Sequence, residues 1–141
     1  MLLSLEDLLD DKYPDASFHD ALLNHLTLDY LSRTAEFHMD LCVGDPDAHD
    51  EKEREAHAKG ILRFDNFLFC VIEAPHPAYD FEVSGGLWIA DDGPLLTSDN
   101  DGLSKLIARI PANAFVYYFF NNDWNTFIYI AAISAMYKWI E

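Results

Sequence analysis

Cationic side chains are scarce in this chain: nine Lys and Arg stand against 25 Asp and Glu, a formal net charge of −16 with histidine neutral. A field of that sign repels phosphate backbones and anionic headgroups and attracts basic surfaces, so nucleic acid and a membrane surface are both disfavoured as partners. Cysteine is nearly missing as well. Cys42 and Cys70 are the two present, each inside an apolar run, "MDLCV" and "FLFCVIE", where a thiol behaves as a small buried hydrophobe. They supply neither a disulfide framework nor a zinc spacing. The longest strongly apolar stretch, Phe127 to Met136, falls well short of the ~20 residues a membrane helix needs. The opening "MLLSLEDLLDD" lacks a basic segment and turns acidic at Glu6, which argues against a secretory signal. These absences predict a soluble, cytoplasmic protein.

What is present suits one compact domain over residues 1–141, with 50% hydrophobic and 14% aromatic residues and no linker or repeat. Ser4 followed by Asp7, with Leu5, Leu8 and Leu9 at helical spacing, predicts a short helix from Ser4 to Asp11, ended by Pro14. Leu103, Leu106, Ile107 and Ile110 repeat at i, i+3, i+4 and i+7, a second helix from Leu103 to Ile110 with Asp99 or Asp101 as N-cap and Pro111 closing it. Most of the remainder alternates as β-strand. "SFHDALLNHLTLDY" and "RTAEFHMDLCV" should pair as a hairpin turning at Leu31 and Ser32. Asp29 then lies opposite Thr34, Thr27 opposite Glu36, Leu26 opposite Phe37 and His25 opposite His38, because a one-residue slip sets apolar residues against polar ones. "GDPDAHDEKERE" reads as a solvated loop. Alternation resumes from Ala56, and Asp65–Asn66 marks a bulge in one long curved strand or else a tight turn. Phe81 to Val83 and Leu87 to Ala90 are short strands. "AFVYYFF", "TFIYIAAISAM" and "YKWIE" add further strands, with "NNDWN" as a turn. The fold class is α+β: a curved antiparallel sheet with two short helices.

Few residues point to chemistry. His25 and His38, opposite one another, place two imidazoles within reach of one metal ion; His57 on the next strand is the candidate third ligand, with Glu36 and Asp40 flanking, and zinc is the metal such a set would hold. The competing reading is an ordinary solvent face, and no cofactor is required by any motif. Asp20 falls on the face that carries Phe18, Leu22, Leu26, Leu28 and Tyr30. A buried carboxylate must be paired or hydrogen-bonded, which makes Asp20 a fastener accepting from backbone amides or from Trp124 or Asn125. In a regular strand His19 points the other way, so the two form no dyad. "DPDAHDEKEREA" fails as a calcium loop, having Asp50 where glycine is needed and Ala56 where glutamate is needed. Phosphate-loop and nucleophile-elbow signatures are missing. The aromatics Tyr117, Tyr118, Phe119, Phe120, Trp124, Phe127 and Tyr129 are core residues or the lining of a ligand pocket.

The opening "FHDALL" leading into "LTLDY", the second strand ending "DLCVGDPD", and "NDWN" before a C-terminal apolar strand resemble small bacterial β-rich proteins with an FHD-type opening, which in turn resemble immunity proteins of toxin systems. The likeness does not extend over Asp47 to Asp101. It implies an intracellular protein that binds and blocks a toxin, and it carries no catalytic residue; Phe18, His19 and Asp20 match the opening motif. The expectation is a non-enzymatic binding module for a basic protein, with Asp45, Asp47, Asp50, Glu51, Asp91 and Asp92 as acidic contacts. The alternatives are a small metal-dependent hydrolase built on His25, His38 and His57, and a small-ligand binder with an aromatic pocket.

Overall fold

A computed structural model of the chain describes residues 4–9, 12–80 and 86–140. Among these lie β1 (Ser17–Asp29), β2 (Thr34–Cys42), α1 (Glu51–Arg54), β3 (His57–Asp65), β4 (Phe69–Ile72), β5 (Leu87–Pro94), α2 (Asp101–Ile107), β6 (Phe115–Asn121), β7 (Thr126–Ala132) and β8 (Ser134–Trp139). All strand pairs are antiparallel, in the order β4-β7-β6-β5-β1-β2-β3-β8. The α+β expectation holds at this level, with the sheet predominating.

Connection lengths force the sheet to curl. β3 and β4 are separated by six strand spacings, about 29 Å across a flat sheet, yet residues 66–68 join them, a reach of about 14 Å at most. Ile133 alone joins β7 to β8 over the same number of spacings. The ends of the sheet therefore meet at a corner. The Leu68 amide donates to the Ala131 carbonyl (2.7 Å) and the Ile133 amide to the Asp65 carbonyl (3.3 Å), so hydrogen bonding passes through the bend. Asn66 turns the chain there with φ 53°, a left-handed conformation that asparagine tolerates. The chain does not reverse, as a tight turn at Asp65–Asn66 would require; it bends and runs on. Among the described residues, β4 and β8 remain the two edges.

Curling brings inner faces into contact that a flat sheet would hold apart. Phe37 of β2 packs its ring 5.4 Å from Phe119 of β6 and 5.3 Å from Phe64 of β3. Phe18, Leu41, Leu62, Ile89, Ile128 and Ile130 complete the core around them. Leu5, in a 3-10 turn over Leu5–Leu8, is fully buried in the same cluster. That turn replaces the helix expected from Ser4: the Ser4 side chain makes no capping bond, and the chain leaves helical geometry at Leu9. Asp10 and Asp11 lie outside the described residues, as does the short strand expected at Phe81 to Val83. α2 begins earlier than its apolar repeat suggests, because Asn100, rather than Asp99 or Asp101, accepts the Leu103 amide at 2.9 Å. α1 is a single turn within the acidic segment expected to be loop, capped by Asp50.

The β1–β2 register is the one the alternation demands: Asp29 faces Thr34, Thr27 faces Glu36, Leu26 faces Phe37 and His25 faces His38. The turn is fixed by Asp29, whose Oδ1 accepts the amides of Leu31 (2.9 Å) and Ser32 (3.1 Å). These bonds favour the ionised carboxylate and hold its pKa below the ordinary value. N-terminal to His25 the strand departs from regularity. Register breaks between Leu23 and His25 and between Ser17 and Leu22, and each break resets which residues face inward. Phe18, Ala21 and Leu23 are consequently buried, while Leu22 turns outward beside Trp88.

Two buried polar groups show opposite sides of one rule. Asn121 is fully buried and satisfied: its amide donates to the Thr126 hydroxyl (3.0 Å) and carbonyl (3.3 Å), and its oxygen accepts the Trp124 amide (2.7 Å). It thereby closes the β6–β7 turn. The Tyr137 hydroxyl is buried against Gly60 and, among the described residues, has no partner. Asn121→Ala is expected to lower unfolding free energy by about 2 kcal/mol, since it strands the Trp124 amide, whereas Tyr137→Phe should leave stability unchanged or raise it by up to about 1 kcal/mol. Urea unfolding of the two variants beside the parent checks both signs.

Candidate functional site

Two outer regions of the sheet gather titratable groups. In the first, His25 and His38 face each other across β1 and β2 with ring centroids 5.9 Å apart and planes perpendicular at 89°. A shallow depression of about 430 Å³ opens beside them, lined also by Asn24, Asp40, Lys59 and Gly60. His57 does not join this pair. The residue opposite His38 on β3 is Ile61, and His57 lies four positions further along, opposite Cys42, about 13 Å away along the strand. Its ring nitrogen donates instead to the Glu55 carbonyl at 2.8 Å. Among the described residues no three His, Cys, Asp or Glu side chains converge as a metal-binding group. The geometry thus gives two imidazoles and a neighbouring carboxylate at Asp40.

The second region lies where β1 meets β5 and β6. Asp20 adopts φ 64°, a left-handed conformation available to a short polar residue at modest cost. The kink carries Asp20 to the outer surface, which corrects its expected place on the buried face. Its hydrogen-bonding role survives with a different donor: the indole nitrogen of Trp88 donates to Oδ1 at 2.9 Å, not that of Trp124, whose backbone amide is held by Asn121. The irregular backbone also undoes the argument against a His19–Asp20 contact. His19 Nε2 lies 3.6 Å from Asp20 Oδ2, and its other ring nitrogen donates to the Ala90 carbonyl at 2.6 Å.

Asp91 and Asp92, consecutive on β5, point to opposite sides. Asp91 is exposed and accepts from the Tyr118 hydroxyl at 3.0 Å. Asp92 lies opposite Phe119, half-buried, and accepts from the Tyr117 hydroxyl. Burial pushes its carboxyl above the ordinary value of 3.8, the Tyr117 bond opposes that rise, and the charges of Glu6 and Asp91 add to it. Burial likewise raises Tyr117, with Asp92 reinforcing the shift. Asp92 is therefore an internal polar pair and not a surface contact. Of the other expected acidic contacts, Asp45 accepts the Asp47 amide (2.9 Å) and Asp50 accepts the Lys52 amide (3.0 Å); Glu51 is exposed on α1. Sequence reasoning missed Trp88, although its alternation with buried Ile89 was a usable signal for an outward ring.

Outside Asp91 stands a row of aromatic rings. Tyr118, Phe120, Phe127 and Tyr129 occupy the outer positions of β6 and β7, alternating with buried Tyr117, Phe119, Ile128 and Ile130. Phe127 stacks on Tyr129 at 5.5 Å and 12° and meets Phe120 at 5.0 Å and Tyr118 at 5.8 Å. The aromatics of these two strands thus divide between core and surface.

Comparison with protein-family models, with curated proteins and with solved structures finds no match to this chain.

Asp92 makes a pH-dependent contribution with a definite sign. Its folded-state pKa is raised, so the folded chain binds the proton more tightly than the unfolded chain and stability falls as pH rises through that pKa. Asp92→Asn keeps an acceptor for Tyr117 and removes the titration. The variant should be more stable than the parent at pH 8, with the gap closing toward pH 3.5, where the carboxyl is mostly protonated in both states. Urea unfolding at the two pH values measures this; a gap that does not change with pH contradicts the assignment.

Proposed function

We propose that this protein is a non-catalytic binding module that captures a basic protein partner on the outer face of β5, β6 and β7, in the manner of an immunity protein neutralising a cationic toxin. One observation carries the reading. β1, β2, β4, β5, β6 and β7 contain no Lys or Arg, whereas β3 and β8 contain Lys59, Arg63 and Lys138. On the strands without Lys or Arg, the aromatic row and Trp88, which is 44% exposed, stand beside Asp20, Asp91 and Asp123. Arginine and lysine of a partner find both of their preferred contacts there, a carboxylate and an aromatic ring face.

The acids on this face are held by uncharged donors. Trp88 binds Asp20, Tyr118 binds Asp91, and the Trp88 backbone amide binds Asp123 at 2.7 Å. Each carboxylate is oriented without being neutralised by Lys or Arg. Its field acts on an approaching cation, which speeds encounter and sets partner choice. Asp45, Asp47, Asp50 and Glu51 lie on the separate β2–β3 connection, where Lys52 and Arg54 are interspersed, and contribute to the long-range field.

The test uses the basic protein encoded beside this gene as titrant. Its complex should weaken steadily with added salt, and Asp91→Lys should weaken it about tenfold or more, a loss of about 1.4 kcal/mol. Calorimetric titration at two ionic strengths gives both numbers. Binding insensitive to salt and to Asp91→Lys overturns the reading.

A further inference from the structure

The two edges of the sheet differ in how they are guarded. A strand edge presents unpaired amides and carbonyls, and proteins that must stay apart interrupt it with lysine, proline or charge. β8 carries Lys138. β4, "FCVI", carries no charge and no proline, and Ile72 is 48% exposed. Among the described residues β4 pairs on one side only, with β7. The Leu68 amide (to the Ala131 carbonyl) and the Glu73 amide (to the Phe127 carbonyl, 3.2 Å) extend this ladder beyond both ends of β4. In an antiparallel ladder bonding alternates. With Glu73 directed at β7, so is Val71, and the amides of Cys70 and Ile72 face away from it.

We infer that β4 is a docking edge, and that the basic partner adds one of its own strands there. This rests on the function proposed above and specifies how the partner is held. Net charge decides among occupants: a second copy would bring another −16 to an already acidic surface, whereas a basic strand is attracted. Side-chain alternation then sets the chemistry of the added segment. Its outward side chains extend the face formed by Phe69, Val71 and Tyr129, where Lys or Arg meets aromatic rings. Its inward side chains lie beside Cys70 and Ile72, where Val or Ile is suited. The occupant is thus an extended segment alternating basic and β-branched residues, bound by main-chain hydrogen bonds with specificity from alternate side chains.

The test uses two synthetic peptides of equal charge, an Arg-Val repeat and an Arg-Pro repeat; the second lacks the amides needed to join a sheet. The full-length protein is monitored by amide hydrogen exchange and by Trp88 fluorescence. Strand addition predicts that the Arg-Val repeat binds about tenfold tighter than the Arg-Pro repeat and slows exchange at Cys70 and Ile72 about tenfold. Ile72→Pro removes the edge amide and should abolish that advantage; Ile72→Lys, which keeps the backbone intact, should weaken it similarly. Equal binding of both peptides, seen at Trp88 with unprotected Cys70 and Ile72 amides, overturns the docking edge and leaves the aromatic face standing. No binding of either peptide overturns both.

Discussion

Two connections too short to cross a flat sheet govern this molecule. Residues 66–68 and the single residue Ile133 tie together strands that stand six places apart in the sheet. The sheet must roll until its ends touch, and rolling gives it an inside. Sheet proteins otherwise need a second layer to cover their apolar face; here β6 covers β2, as the Phe37–Phe119 contact shows. The helices are accordingly small, and α1 buries no residue. A rolled sheet also has a long outer surface that no layer covers. Side chains there are selected for their dealings with water or with partners, and the clustered titratable groups of His25, His38, Asp20 and Asp91 lie on it.

Rolling demands local irregularity, and β1 supplies it. Its two register breaks shift the inward set twice along thirteen residues, increasing local twist as bulges do. The second consequence is chemical. At Asp20 the kink presents adjacent residues, His19 and Asp20, to the same side, and brings the carboxylate to the indole of Trp88 on β5. The same device that bends the strand therefore aims a polar group outward and ties β1 to its neighbour.

The regular half of this architecture was legible in the chain. Thr27 to Asp29 and Thr34 to Leu41 alternate on either side of the turn, so one register sets polar residues against polar and apolar against apolar, and that register is observed. The strands around Tyr118 and Tyr129 were legible as strands, but the break at Ile133, which divides the TFIYIAAISAM run between β7 and β8, was not. Asp20 was misplaced because alternation assumes a period of two, and a bulge changes the phase without changing composition. His57 was grouped with His25 and His38 because strand membership was readable while its offset along β3 was not; that offset depends on where the β2–β3 connection ends. Placement of β5 between β1 and β6 depends on contacts between distant segments, which no local pattern encodes. Asp91 and Asp92 illustrate the boundary well. Adjacent strand residues must diverge, so one of the pair had to face inward, but only the sheet order shows that Tyr117 is waiting there.

Charge distribution separates a solubility role from a recognition role. A net charge of −16 alone keeps copies apart, and it would do so wherever the nine cations were placed. The two on β3 stand opposite acids of β2, with Arg63 facing Glu36 and Lys59 facing Asp40, so that side is locally balanced. Across β1, β5 and β6 the acids are matched by an indole, a phenol and a backbone amide. Those donors fix position while leaving the negative charge intact, apart from the histidine ring beside Asp20. A surface evolved only to repel itself has no need to orient its carboxylates beside aromatic rings. One that must hold guanidinium or ammonium groups needs both, because the ring supplies a weakly hydrated face and the carboxylate supplies direction. That the three cations borne by strands all fall on β3 and β8 is thus the feature that mere acidity does not account for, and it is what a basic partner would require.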